Sequence, residues 1–158
     1  MKHVDLGIPH DHAQAIVDRL QFVLADEYVL FTKLFKYHWN VVGPHFGPLH
    51  KLFQEQYEEL FSIIDEVAER TRQLGGISIG TLSEFSRYAR LPEEPGENPE
   101  AKKMVSMLVV GYESIIKNLR KDIAYAEDVQ DFGTVDFLTE VMQKHEKAAW
   151  FLRVHLEK

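Results

Sequence analysis

Fifteen residue steps lead from His50 to Asp65 inside a stretch that reads as one unbroken helix, and that spacing limits what the chain can build. Residues 38–50 read HWNVVGPHFGPLH, and residues 65–70 read DEVAER. At ~1.5 Å rise per residue, a helix over residues 48–74 sets His50 and Asp65 ~22 Å apart along its axis. No single ion spans that gap. His38 and His50 bracket a Gly/Pro turn, while Asp65 and Glu69 lie one helical turn apart on a shared face. All four side chains meet only if two copies of the helix lie antiparallel, the histidine end of one facing the carboxylate end of the other across a two-fold axis. The spacing therefore points to a metal site built between subunits.

The remaining apolar periodicity is helical in four long blocks. The first covers about 11–42, with Ile16, Leu20, Val23, Leu24, Phe31, Leu34 and Phe35 at spacings of three and four, and Asp11 as N-cap after Pro9. The second opens at Pro48, where a missing N–H costs nothing, and stops at Gly75-Gly76. It carries two apolar stripes. Leu49, Phe53, Leu60, Ile64 and Val67 suit a bundle core, while His50, Tyr57, Phe61, Asp65 and Ala68 form a neighbouring stripe suited to a partner chain. TLSEFSRYAR predicts a short helix starting near Thr81 or Ser83, and LPEEPGENPE is a loop no helix crosses. The third long helix covers about 99–127, and the fourth follows the DVQDFG break with Val135, Leu138, Val141, Met142, His145, Ala149, Leu152 and Leu156 as its core stripe. The expected fold is all-α: one four-helix bundle over 1–158, with a crossover bearing a short extra helix between the second and third helices, and a polar N-terminal tail over 1–10.

Composition removes several function classes. The net charge is -7, and Lys2 and Lys158 are the only basic residues at the tails, which argues against a surface made to neutralise phosphate backbones. Cysteine is absent, so thiolate metal sites and thiol nucleophiles are excluded. The first residues lack an apolar leader segment, and no stretch approaches the ~20 apolar residues of a membrane span. The sequence reads as cytoplasmic, with nucleoid association as the alternative.

Each ligand candidate has a structural reading beside the chemical one. His38, at the C-terminal end of the first helix, suits a buried histidine or a charge complementing the helix dipole. His50 sits at the wrong end of its helix for that. Acidic pairs such as Asp65 and Glu69 are usually solvated surface. Together the four form an N2O2 donor set suited to iron, manganese or zinc.

The segment HWNVVGPHFGPLHKLFQEQYEELFSIIDEVAERTRQLGG resembles the signature of the Dps proteins, the DNA-protection branch of the ferritin superfamily, and the organisation is similar over almost the whole chain. The resemblance puts His38 and His50 on the family's ferroxidase histidines, and Asp65 and Glu69 on the carboxylates given by the dimer-related subunit. It implies a hollow dodecamer built from two-fold dimers. That shell would oxidise Fe(II), preferentially with hydrogen peroxide, and store Fe(III) mineral inside. It further implies that Glu127, Asp131 and Asp136 form pore acids, where Asp131 also suits an N-cap; Trp39, next to His38, suits either electron transfer to the site or packing. Two features depart from the pattern. Gln54 replaces an acid found in some members, which weakens a second iron position, and the lysine-rich DNA-binding tail is replaced by His3, Asp5, His10, Asp11 and His12. Those residues suit an accessory metal site or a flexible polar tail. Two further readings are an oxygen-using ferritin-type diiron protein and a nucleoid protein with DNA binding as a main role. The first would display Glu-x-x-His, yet none of the eight histidines has a glutamate three residues before it.

Overall fold

The computed structural model describes residues 4–157; Lys2, His3 and Lys158 lie outside them. Five helices follow in order: α1 (His10–Asn40), α2 (Phe46–Gln73), α3 (Leu82–Tyr88), α4 (Ala101–Asp128) and α5 (Phe132–Val154). Antiparallel pairing is fixed by contacts along each seam. Phe31 of α1 meets Phe61 of α2, and Arg120 and Glu113 of α4 pair with Glu146 and Arg153 of α5. Tyr37 of α1 reaches Met107 of α4, and Arg70 of α2 reaches Asp131 before α5. Both α2 and α4 thus run against α1, and the chain must cross the length of the bundle between them. The short helix α3 lies on that crossover, packed on α1 through Tyr28 stacked on Phe85.

The element boundaries differ from the sequence expectation at several helix ends. Helix α1 begins one residue earlier, with Pro9 at the N-cap position, and Asp11 sits in its first turn instead of capping it. There its carboxylate faces the positive end of the helix dipole. Helix α2 begins at Phe46, so Pro48 occupies its first turn, where the N–H has no intrahelical acceptor anyway. Helix α4 begins at Ala101, after Pro99 and Glu100.

The ends of α2 and α4 share one geometry. After α2, Gly76 N–H donates to Thr71 O and Gly75 N–H to Arg72 O, with Gly75 at φ 86°, the paired bonds of a Schellman motif. After α4, Asp131 N–H donates to Ala126 O and Gln130 N–H to Glu127 O, but here the left-handed position is held by Gln130 at φ 61°. A side chain at that φ is strained. Asp131 then caps α5, its Oδ1 accepting from Thr134 N–H at 3.1 Å.

The core runs the length of the bundle, with Leu20, Leu24, Leu30, Leu34, Phe53, Leu60, Val67, Leu108, Ile115, Leu119, Leu138, Val141 and Leu152 fully enclosed. Phe31 and Phe35, which the periodicity places in the core stripe of α1, are only half-buried; Phe31 packs against the edge of the core, and both reach a second surface. They open onto the outer face of the α1–α2 pair, joined there by Tyr57 and Phe61 of α2. The apolar stripe of α1 is therefore wider than the bundle needs.

Candidate metal centre

At one end of the α1–α2 hairpin the two histidines lie face to face, ring centroids 3.7 Å apart and planes 20° from parallel. Each ring is fixed by the backbone of the other residue. His38 Nδ1 lies 2.8 Å from His50 O, and His50 Nδ1 lies 2.9 Å from His38 O. A carbonyl oxygen only accepts, so each Nδ1 carries the hydrogen, and in the neutral rings both lone pairs sit on Nε2. The reciprocal clamp thus selects the tautomer that leaves both Nε2 atoms able to bind a metal, as a hydrogen-bond acceptor behind a metal-binding imidazole does. The turn between the helices makes the clamp feasible: Val41 N–H closes α1 on Tyr37 O, and Gly43, at φ 108°, reverses the chain toward Phe46.

Asp65 and Glu69 lie on the continuous helix α2, whose 28 residues contain no break. Both are exposed, and both remain distant from the histidine pair of their own chain. Among the described residues of one chain, no three His, Asp or Glu side chains converge as a metal site. The structure thus brings together His38 with His50, and leaves the carboxylates at the far end of the same face. Between the two ends lies an aromatic surface. Tyr57 sits edge-on to His38 and stacked on Phe35; Phe35 contacts Trp39; Phe61 closes the far side. Phe61 and Trp39 are 65% and 69% exposed, a large apolar presentation for a chain that would otherwise stand alone.

The pore candidates divide. Glu127 and Asp136 are exposed, whereas Asp131 is 2% exposed and both of its oxygens are engaged. Oδ1 accepts from Arg70 Nη2 at 2.8 Å and from Thr134 N–H, and Oδ2 accepts from the Thr134 hydroxyl at 2.5 Å. The capping role is what the geometry of Asp131 displays. Of the N-terminal group, Asp5, His10, Asp11 and His12 are all exposed.

Among the buried polar groups that escaped the sequence reading are two adjacent acids of α1. Asp26, inside the apolar run of α1, accepts from the backbone N–H of Arg90 and Leu91 and pairs with the Arg90 guanidinium at 2.7 Å, which ties the end of the crossover to the bundle. Glu27, its neighbour, meets His145 Nε2 at 2.7 Å in the bundle centre. Beside them the Tyr112 hydroxyl is held well above the ordinary tyrosine range by burial and by the charges of Glu27 and Glu59. A lone acid within an apolar helix has no local signature, and its partners are distant in sequence.

The comparisons with known proteins extend over nearly the whole molecule. Residues 17–158 match the ferritin-like domain model. An uncharacterized low-temperature-induced protein of Nostoc sp. is 44% identical over 99% of this chain and 88% of its own length. DNA protection during starvation protein 2 of Bacillus anthracis is 37% identical over 89% of this chain and 96% of that protein. A solved Dps structure from Vibrio cholerae, described as a member of a broad superfamily of ferritin-like diiron-carboxylate proteins, superposes with a TM-score of 0.93 at 27% identity, covering 99% of this chain and 98% of that one.

Proposed function

Because the chain belongs to the ferritin-like domain family, in its Dps branch, we propose that it is an iron-storage protein that oxidises Fe(II) at sites formed between two copies. The observation that carries the reading is the reciprocal clamp, which leaves the Nε2 atoms of both histidines to bind while, among the described residues, no acid of the same chain joins them in a three-ligand metal group. In the proposed site, His38 and His50 of one copy and Asp65 and Glu69 of another hold Fe(II) as substrate. The open aromatic face between the two ends is the surface the copies bury, and burying it antiparallel carries the carboxylates to the histidines. Anionic oxygens stabilise Fe(III) over Fe(II), which lowers the barrier to oxidation.

Hydrogen peroxide is the proposed oxidant, and a dodecameric shell built on these dimers the proposed assembly. Each Fe(II) gives one electron and peroxide takes two, so one peroxide consumes two irons. Trp39, exposed and in contact with Phe35, is the proposed electron donor at the site, with packing in the dimer as its plainer role. Glu127 and Asp136 are the free acids for iron entry, with Asp131 fixing the turn that presents them. Zinc or manganese suits the same donors. DNA binding as a main role is disfavoured by a net charge of -7, which repels phosphate at physiological salt. No helix among the described residues is long and apolar enough to cross a membrane. The test is an anaerobic Fe(II) titration followed separately by peroxide and by oxygen. Fast oxidation by peroxide and slow oxidation by oxygen is the expected result; equal or faster oxidation by oxygen counts against a Dps-type centre.

A further inference from the structure

Two imidazoles and two carboxylates make one four-donor set, which suits a single iron. One Fe(II) gives up one electron, whereas breaking the O–O bond of peroxide to the level of water takes two. The second electron has to come from a group beside the site. Tyr57 follows His50 by two turns of α2 and shares its face. Its ring meets His38 edge-on, centroids 5.3 Å apart, and stacks on Phe35 at 4.2 Å and 21°. The other oxidisable rings nearby are less well placed. Trp39 makes its ring contact with Phe35 at 5.2 Å, one ring further from the clamp. Tyr37 is next to His38 in sequence but is buried in the core, its hydroxyl bonded to Met107 Sδ. The groove that Tyr57 shares with Phe31, Phe35 and Phe61 contains no second phenol or indole.

We infer that Tyr57 supplies the second electron of each peroxide reduction and holds the oxidising equivalent as a neutral phenoxyl radical until another Fe(II) arrives. The inference rests on the intersubunit reading of the site. In the first step the O–O bond breaks, taking one electron from Fe(II) and one from the Tyr57 phenol. The phenolic proton turns one of the two resulting hydroxides into water, so the products are Fe(III), the phenoxyl, one water and one hydroxide. In the second step the next Fe(II) returns an electron to the ring and water returns the proton, which leaves Fe(III), hydroxide and the intact phenol. The sum is one peroxide for two irons, reached with one iron bound at a time. Trp39, one ring further out, then donates to Tyr57 through Phe35 rather than to the site directly. The Tyr57 ring is half-buried against Phe31 and Phe35, which phenylalanine's resistance to oxidation makes an inert wall.

The test loads the assembled protein anaerobically with one Fe(II) per site, adds one equivalent of peroxide, and freezes the mixture for electron paramagnetic resonance. Wild-type protein should give a tyrosyl signal that narrows when its tyrosines are ring-deuterated and that a second addition of Fe(II) discharges. Tyr57→Phe keeps the ring and its packing but has no phenol to oxidise. It should lose that signal, consume more peroxide per iron than wild type, and release hydroxyl radical to a spin trap. Trp39→Phe should keep the signal. A tyrosyl signal undiminished in Tyr57→Phe, or none in wild-type protein that oxidises its iron with peroxide, overturns the role of Tyr57 and leaves the intersubunit reading standing. Wild-type protein that does not oxidise Fe(II) with peroxide overturns both.

Discussion

The two ends of the α1–α2 face differ in how finished they are. At the histidine end both rings are stacked, hydrogen-bonded through Nδ1 and enclosed on several sides; at the carboxylate end Asp65 and Glu69 stand in solvent. One half-site is preorganised by its own chain, and the other acquires a setting only from a second copy. The asymmetry is physically reasonable. An imidazole must be turned to present the correct nitrogen, which needs a fixed acceptor behind it, whereas a carboxylate offers two equivalent oxygens and needs only to arrive.

The sharpest way to break this comparison is complementation. His38→Ala/His50→Ala protein and Asp65→Ala/Glu69→Ala protein are each expected to lose peroxide-dependent iron oxidation by about 10–100-fold. Mixed dimers of the two carry one interface site with all four ligands and one with none, so co-assembly restores part of the rate. If mixing restores nothing while wild-type protein handled identically stays active, the division between copies is wrong.

Stability gives the next contrast. His38→Ala or His50→Ala removes one ring of the stack and orphans a carbonyl oxygen, at an expected cost of about 1–3 kcal/mol in urea unfolding. Asp65→Ala/Glu69→Ala breaks no side-chain hydrogen bond or ion pair among the described residues and is expected to stay within about 0.5 kcal/mol. Equal costs at the two ends would remove the claim that only one is built in advance.

Alkaline unfolding probes the residue beside the clamp. Burial, with the charges of Glu94 and Glu97, pushes the Tyr37 hydroxyl from 10.0 up to about 12. A raised folded value means the neutral form is favoured in the fold. Its stabilising effect is complete below the ordinary tyrosine range and is lost as pH climbs from about 10 through about 12. Urea midpoints measured across that window should fall less steeply in Tyr37→Phe than in wild type; parallel curves would refute the assignment.

The smallest expected effect lies near the carboxylate end, where Arg70 ties α2 to the turn before α5. Gln130→Gly relieves the φ 61° strain in that turn and should raise stability by up to about 1 kcal/mol. A decrease would show that the Gln130 side chain contributes a contact outweighing its strain.

Much of this was legible in the sequence because it is local. Gly75-Gly76 stops α2, α3 starts at one of the two positions expected, Thr81, and the two stripes of α2 separate by helical arithmetic except that Ile63, not Ile64, is enclosed in the core. The spacing of His50 and Asp65 already excluded a site within one chain. What was missed is long-range. Asp26 meets Arg90 across 64 residues and Glu27 meets His145 across 118, and no periodicity announces such partners. Phe31 and Phe35 show a related limit, since helical spacing assigns an apolar residue to a stripe without saying whether its own bundle or another molecule covers it.

Helix α2 also works as a ruler. In the proposed dimer the two-fold axis passes midway between His50 and Asp65, between Tyr57 and Glu58. One residue inserted anywhere in that interval would rotate one ligand set by ~100° against the other and move it ~1.5 Å along the axis. Substitution of letters within the interval is tolerable wherever packing allows, but a change in their number is not. The connections flanking α3 carry no ligand, and away from Ile77, Ile79, Arg90 and Leu91, which Gln21 and Asp26 hold to the bundle, they can lengthen or shorten at slowly growing entropic cost. Among descendants of this chain, gains and losses of residues should therefore gather around α3 and spare the fourteen positions between His50 and Asp65.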